Sequence, residues 1–248
     1  MPGVFPRALP HGPLVEILPD LFVVTGTMRL ALGAIAFPRN MTILRHQGEL
    51  TLFNSVRLTS DGEKALAALG EVRHVVRLGA FHGIDDAYYL DRYRPTFWLP
   101  DKTKVPSHLE ASAPHSLPHG MRPPFAPDCE VFLFQDTRLP EAAVRLPRGN
   151  GLLLVCDSVG NFRSTDGFSA LARLLMPSGV APCTVASSTW RRQMQKRGGP
   201  SLRADFERLL ALEFEGIVPA HGDVMLAGAK DALSRSIAQL WNRETVRA

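Results

Sequence analysis

The apolar positions of this chain fall into short runs. Leu21 to Thr25 and Ala31 to Phe37 are apolar or β-branched stretches around a Gly-containing turn, and MTILRHQGELTLFNSV after them reads as two strands split by Gln47-Gly48-Glu49. These predict a meander of antiparallel strands. Ser60 is placed to cap a helix, with Glu63 at capping-box distance, the helix-forming EKALAAL behind it and Gly70 to close it. EVRHVVRLG then reads as a strand, Asp85 to Tyr93 as a helix that breaks before Pro95, and TFWLP as a further strand.

From Pro100 to Pro127 seven prolines and three histidines stand without any apolar period, which predicts a long surface loop or a lid. VFLFQ and EAAVRLP return to strand, and the turn Gly149-Asn150-Gly151 feeds a buried strand in GLLLVC. Helical spacing takes over in GFSALARLLM and in LRADFERLLALEF, where Ser201 is the expected cap. GIVPA is one more buried strand, and a last helix is expected from about Val224 to Trp241. Strands first, then strands alternating with helices, predict an α/β fold of two sheets packed between helices. One domain covers residues 1–248, with residues 1–20 as an extended N-terminal arm.

Bulk composition narrows the function classes. An apolar fraction of 45% and a charged fraction of 21% are those of a globular chain and exclude wholesale disorder. The formal net charge of +4 falls short of a nucleic-acid binder unless it is clustered. One cluster exists, Arg191 to Arg197 behind Trp190, which offers a place for phosphate groups or nucleic acid, although a solvated loop or helix end is the commoner use of such a run. Cys129, Cys156 and Cys183 are odd in number and contain no C-x-x-C pair, so neither a disulfide framework nor a cysteine zinc cluster is indicated. No 18 apolar residues run together, and the proline-broken start has no signal-like apolar stretch; a cytoplasmic protein without a membrane span is the expectation.

The candidate chemistry sits in three stretches, AFHGIDDAYYL (80–90), GLLLVCDS (151–158) and GIVPAHGD (216–223). Each is a strand that ends in Asp or His where a turn or helix begins. Side chains at strand ends are held by a rigid sheet yet open to a cleft, so His82, Asp86, Asp157 and His221 are expected to converge on one metal ion. Each also has a plainer reading. Asp85 or Asp86 can cap the following helix, His82 can be a hydrogen-bonded strand-end histidine, and Asp157-Ser158 and His221-Gly222-Asp223 can be ordinary turns.

That order of elements resembles the metallo-β-lactamase fold superfamily of metal-dependent hydrolases, in a divergent branch whose histidine-rich signature is partly lost. His82-Gly83-Ile84-Asp85-Asp86-Ala87 matches the superfamily's H-x-H-x-D-H motif at the first histidine and the aspartate, with Ile84 and Ala87 where two histidines belong. Asp136 to Glu141 stands where a further histidine is usual and has none, and Arg138 there stays protonated and cannot ligate a metal. Asp157 matches the aspartate that bridges two metals, and His221, in Pro219-Ala220-His221-Gly222, the last ligand.

The resemblance implies an αββα sandwich and a single divalent ion, zinc, iron or manganese, held by His82, Asp86, Asp157 and His221. Asp86 would also orient the attacking water, with Asp85 as its partner or as general base. The implied activity is hydrolysis of a small-molecule ester, thioester, lactone or phosphoester. The alternative is a metal-free, catalytically inactive descendant that binds a ligand or partner, its cleft closed by Ile84, Ala87 and Arg138. His108, His115 and His119 in the proline-rich segment are further possible ligands, and Cys156 reads as core. A serine hydrolase would need a G-x-S-x-G elbow, and neither that nor a nucleotide-binding glycine motif occurs.

Overall fold

A computed structural model of the chain describes residues 5–105, 107–175 and 183–245; the side chains of His108 and Cys183 and the last residue of GFSALARLLM lie outside the described residues. The first sheet has seven strands in sequence order, β1 (Val15–Leu18), β2 (Leu21–Leu30), β3 (Ile35–His46), β4 (Glu49–Phe53), β5 (Glu71–Val76), β6 (Thr96–Pro100) and β7 (His115–Leu117). The first four form an antiparallel meander, as expected, but its strands are divided differently: residues 31–33 form a 3-10 turn, the runs on either side of residue 40 lie in the single strand β3, and β1 falls inside the expected N-terminal arm. Gln47 and Gly48, both at positive φ (51° and 82°), make the β3–β4 turn, whose twist suits a tight hairpin. From β4 onward the pairing is parallel, with α1 (Ser60–Leu69) and α2 (Asp86–Tyr93) as crossover helices. The α1 cap is Thr59 and not Ser60: its hydroxyl accepts from the Gly62 N–H.

The second sheet contains β8 (Glu130–Leu133), β9 (Ala142–Leu146) and β10 (Leu152–Val155) and, after a separate antiparallel pair of β11 (Val159–Phe162) and β12 (Cys183–Ala186), β13 (Gly216–Pro219). Its spatial order is β13-β10-β9-β8, with β13 parallel to β10. Helices α3 (Ala170–Leu175), α4 (Ser188–Met194), α5 (Arg203–Leu210) and α6 (Ala229–Thr245) complete the chain. The last helix starts later than its sequence pattern suggests, because Met225 exchanges two backbone hydrogen bonds with Ile217 and holds residues 224–228 against the sheet edge. The pair β11–β12 and helix α4 are too short to show a period in sequence.

Three buried clusters define the layers. Leu21, Val23, Leu44 and Phe53 of the first sheet face Val131, Val144, Leu152 and Leu154 of the second. Phe22, Val24, Ile43 and Leu52, the alternate positions of the same strands, pack on Leu66 of α1 and Tyr89 of α2. Leu153, Val155 and Ile217 meet Trp190, Phe206, Leu233 and Ile237 of α4, α5 and α6. Each sheet is therefore covered on both faces, which is the αββα sandwich. Each fully buried Leu, Val or Phe contributes roughly 1.5–3 kcal/mol toward that arrangement.

The described part of 100–127 is mostly irregular, but parts of it pack into the core instead of lying on the surface. β7 extends the first sheet beside β6, Leu117 and Phe125 are buried between the sheets, and the Phe125 ring lies 5.4 Å from that of Trp98. Isolated apolar residues among prolines carry this packing, and no period reveals them. Among the described residues no helix is long and apolar enough to cross a membrane.

Candidate metal centre

Both sheets send strand ends to one edge of the sandwich. β10 and β13 are parallel and in register, with Val155 opposite Pro219, so Asp157 and His221 each stand two residues past a paired couple and emerge side by side. The segment after β5 reaches the same edge: Leu78 donates its N–H to the Asn54 side chain and accepts from the Ala142 N–H, tying the first sheet to the second. Gly79 then bridges to Glu141, and the His82 N–H bonds back to the Gly79 carbonyl, which turns the imidazole toward Asp157 and His221.

Three of the expected residues meet. His82 Nε2 lies 3.3 Å from Asp157 Oδ1, His221 Nε2 lies 3.2 Å from the same oxygen, and the two Nε2 atoms are 3.2 Å apart. Such a triangle has the dimensions of one face of a coordination tetrahedron, since ligand bonds of about 2.0–2.1 Å at tetrahedral angles separate the ligand atoms by roughly 3.3–3.4 Å. The proton count points the same way. His221 Nδ1 bonds the Pro38 carbonyl at 2.9 Å, and a carbonyl only accepts, so in neutral His221 the Nε2 atom carries a lone pair. At most one hydrogen, on His82 Nε2, then serves all three contacts. Three converging donor atoms of this chemistry fit a divalent ion. His82, Cys156 and Asp157 also place ligand atoms within 4.8 Å of one another, a group that could hold a metal.

Asp157 is the electrostatic centre of the cluster. Burial alone would raise its carboxyl, but when the His82 and His221 imidazoles are protonated their charge and hydrogen bonds, His82 first, outweigh burial and hold it below the usual carboxylate range; a metal cation would take the place of those protons. Behind it Glu141 is fully buried, accepting from the Ser158 N–H at 2.8 Å and the Trp190 indole N–H at 2.6 Å. Burial first, and the Asp157 charge second, push Glu141 up to about 8. The Cys156 thiol is buried too, and burial followed by the charges of Asp157 and Glu141 keeps it well above its ordinary value, as a neutral group 3.8 Å from both Asp157 Oδ2 and Asn54 Oδ1.

The other two expected site residues are placed elsewhere, and their assignment as ligand and base is corrected. Asp86 is completely buried: Oδ2 accepts from Arg77 Nε at 2.7 Å and Oδ1 from the Ser55 hydroxyl at 2.5 Å. Gly83, at φ +111°, makes room for that guanidinium, which a Cβ there would meet at about 2.2 Å. Asp85 precedes α2 without capping it through its side chain; it is ion-paired with Arg39 and accepts from the Arg57 N–H at 2.7 Å. Two consecutive carboxylates are thus each held by a buried arginine, and neither joins the His82, Asp157, His221 triangle. The arginines, thirty-eight positions apart in the chain, gave no sequence signal for these pairings.

Asn40 is the residue the sequence reading missed at the turn that carries His221. Its amide donates to the Pro219 and Gly222 carbonyls at 2.9 and 2.7 Å, its backbone N–H donates to Ala220, and its Oδ1 accepts from the Thr25 hydroxyl. A polar pair, Arg39-Asn40, inside an otherwise strand-like run was the available signal. Of the loop histidines, His115 and His119 do not reach the cluster: His115 lies tilted against Trp98 at 4.8 Å and His119 packs edge-on against Phe132. In the basic run, Arg191 lies over the Trp241 ring at 5.2 Å.

No protein-family model and no curated protein matches the chain. Solved structures do. DIM-1 metallo-β-lactamase exposed to ceftazidime superimposes with a TM-score of 0.60 at 14% identity, over 96% of this chain and 100% of that one. The chain has the metallo-β-lactamase fold. The metallo-β-lactamase FIM-1 from Pseudomonas aeruginosa, in its mono-zinc form, gives a TM-score of 0.61 at 12% identity over 97% of this chain and 99% of that one. TMB-1 is similar at a TM-score of 0.61 and 13% identity, over 96% and 99%. At these identities the metallo-β-lactamase likeness is one of architecture, and the site must be argued from its own side chains.

Proposed function

We propose that the protein is a metal-dependent hydrolase with a mononuclear centre held by His82, Asp157 and His221. The observation that carries this reading is the triangle of Nε2, Nε2 and Oδ1 atoms at 3.2–3.3 Å, which neutral imidazoles would serve with a single hydrogen. Three protein ligands leave a fourth tetrahedral position free, the pattern of catalytic rather than structural sites. The Asp157 and His221 side chains keep 17% and 12% of their surface exposed, so an ion held there would be within reach of solvent. A divalent ion there supplies Lewis acidity toward water and toward a carbonyl or phosphoryl oxygen.

The chain's own residues do the rest. Pro38 and Asn40 orient His221, the loop tied at Gly79 orients His82, and the Ser158–Glu141 contact fixes the strand end that presents Asp157. A single ion is favoured because Asp86, the motif carboxylate that would serve a second one, is neutralised by Arg77. That FIM-1 has been solved in a mono-zinc form supports the reading of a single ion. Substrates in this reading are small esters, thioesters, lactones or phosphoesters. The test is a hydrolysis panel of those four classes, with protein loaded with zinc, iron or manganese. Turnover that vanishes in His221→Ala and in Asp157→Ala supports the reading; turnover that survives in both variants, or none with any metal, contradicts it and leaves the ligand-binding alternative.

A further inference from the structure

Beside the His221 turn, on the same edge of the sandwich, a cavity of about 290 Å³ opens between β2, β3 and the segment that follows β11. Phe162 and Phe168 form its apolar wall, their rings meeting edge to face at 5.5 Å. Phe168 also stacks on Phe37 at 6.4 Å, and Phe37 lies 5.4 Å from the His221 ring. A chain of ring contacts therefore links the cavity wall to the imidazole.

The polar wall has one sign. Asp166 and Asp223 line the cavity; Asp223 accepts from the Arg163 backbone N–H at 3.0 Å and Asp166 from the Ser164 hydroxyl at 2.8 Å. Among the described residues neither carboxylate is paired with a cationic side chain. Two uncompensated carboxylates beside aromatic faces, in a chain of formal net charge +4, make a local negative field where the whole molecule would favour anions.

We propose that this cavity is the subsite for an ammonium group on an apolar body, so that the site acts on an amine-bearing ester, thioester or lactone and disfavours anionic phosphoesters. This rests on the hydrolase reading above. The carboxylates attract the ammonium, the half-buried Phe162 ring adds cation–π attraction with Phe168 as apolar backing, and the same carboxylates repel a phosphate. The volume is at the small end of ligand cavities, which suits a side group and not a whole large substrate.

The test compares phenethylamine, 2-phenylethanol and 3-phenylpropanoate, three probes of similar shape and different charge, by calorimetry on the full chain before and after chelator treatment. Phenethylamine is expected to bind about tenfold tighter than the alcohol, with the propanoate weakest and the preference falling in high salt. Asp166→Asn/Asp223→Asn should abolish the preference while leaving the affinity for 2-phenylethanol unchanged; Asn Oδ1 can still accept from Arg163 and Ser164, so the segment keeps its shape. Equal binding of the three probes, tighter propanoate, no binding of phenethylamine, or an unchanged preference in the double variant overturns the proposal. The preference is expected in the chelated protein as well, so its absence overturns the subsite, while absent turnover in the hydrolysis panel overturns only the hydrolase reading.

Discussion

His221 donates its Nδ1 hydrogen to the carbonyl oxygen of Pro38 across 2.9 Å. That one bond decides which nitrogen faces His82 and Asp157, and with it the character of the whole cluster: a ring nitrogen without a hydrogen, held 3.2 Å from a carboxylate oxygen, repels its neighbour unless a proton or a metal lies between them. Pro38 sits on β3 of the first sheet and His221 follows β13 of the second, so the site depends on the two sheets staying in place.

Asn40 should therefore matter without touching the ion. In Asn40→Ala the Pro219 and Gly222 carbonyls lose their donors and the His221 turn loosens. Metal affinity is expected to fall about 10- to 100-fold with the stoichiometry unchanged. Competition against a chromophoric chelator measures this; an unaltered affinity would show that the turn holds itself.

Asp86→Ala should act on stability and not on metal. It strips the partner from the buried Arg77 guanidinium, and breaking such a pair costs about 3–5 kcal/mol. Denaturant unfolding would report that loss, while metal analysis of the folded fraction should still give the wild-type stoichiometry. The opposite pattern, intact stability and lost metal, would return Asp86 to the ligand set.

Glu141→Gln keeps the shape of a completely buried side chain but replaces one acceptor by an NH2 group. Whichever way the amide is turned, either the Ser158 N–H or the Trp190 indole N–H meets a donor. A loss of about 1–3 kcal/mol is expected in thermal or chemical unfolding. A variant as stable as the wild type would mean that these two hydrogen bonds are dispensable.

The architecture was legible because it rests on period. Leu21 and Val23 face one way and Phe22 and Val24 the other, and this alternation by itself requires two buried faces for the first sheet. The meeting of Asp157 and His221 was legible from their common place two residues past a strand, whereas His82 stands in a turn six residues beyond the end of β5, where the sequence had suggested a strand end. What escaped was pairing across the chain. Nothing local announces that Arg77 will neutralise Asp86, that Arg39 will take Asp85, or that Asn40 will reach across to the turn at 219–222. An Asp at a motif position looks the same in sequence whether a metal or a guanidinium faces it. The packing of Phe125 beneath a proline-rich stretch was hidden for the same reason, as a single apolar contact without a repeat.

The most direct measurement is the metal content of the protein, purified without chelator or metal-binding tag and then titrated with zinc, iron or manganese under conditions where the chain is folded. One tightly held ion per chain is predicted in the wild type, with binding lost in Asp157→Ala and in His221→Ala while circular dichroism shows both variants folded. A wild-type chain that takes up no ion at any loading, or variants that bind it as tightly as the parent, would contradict the assignment of those imidazoles and that carboxylate to a metal.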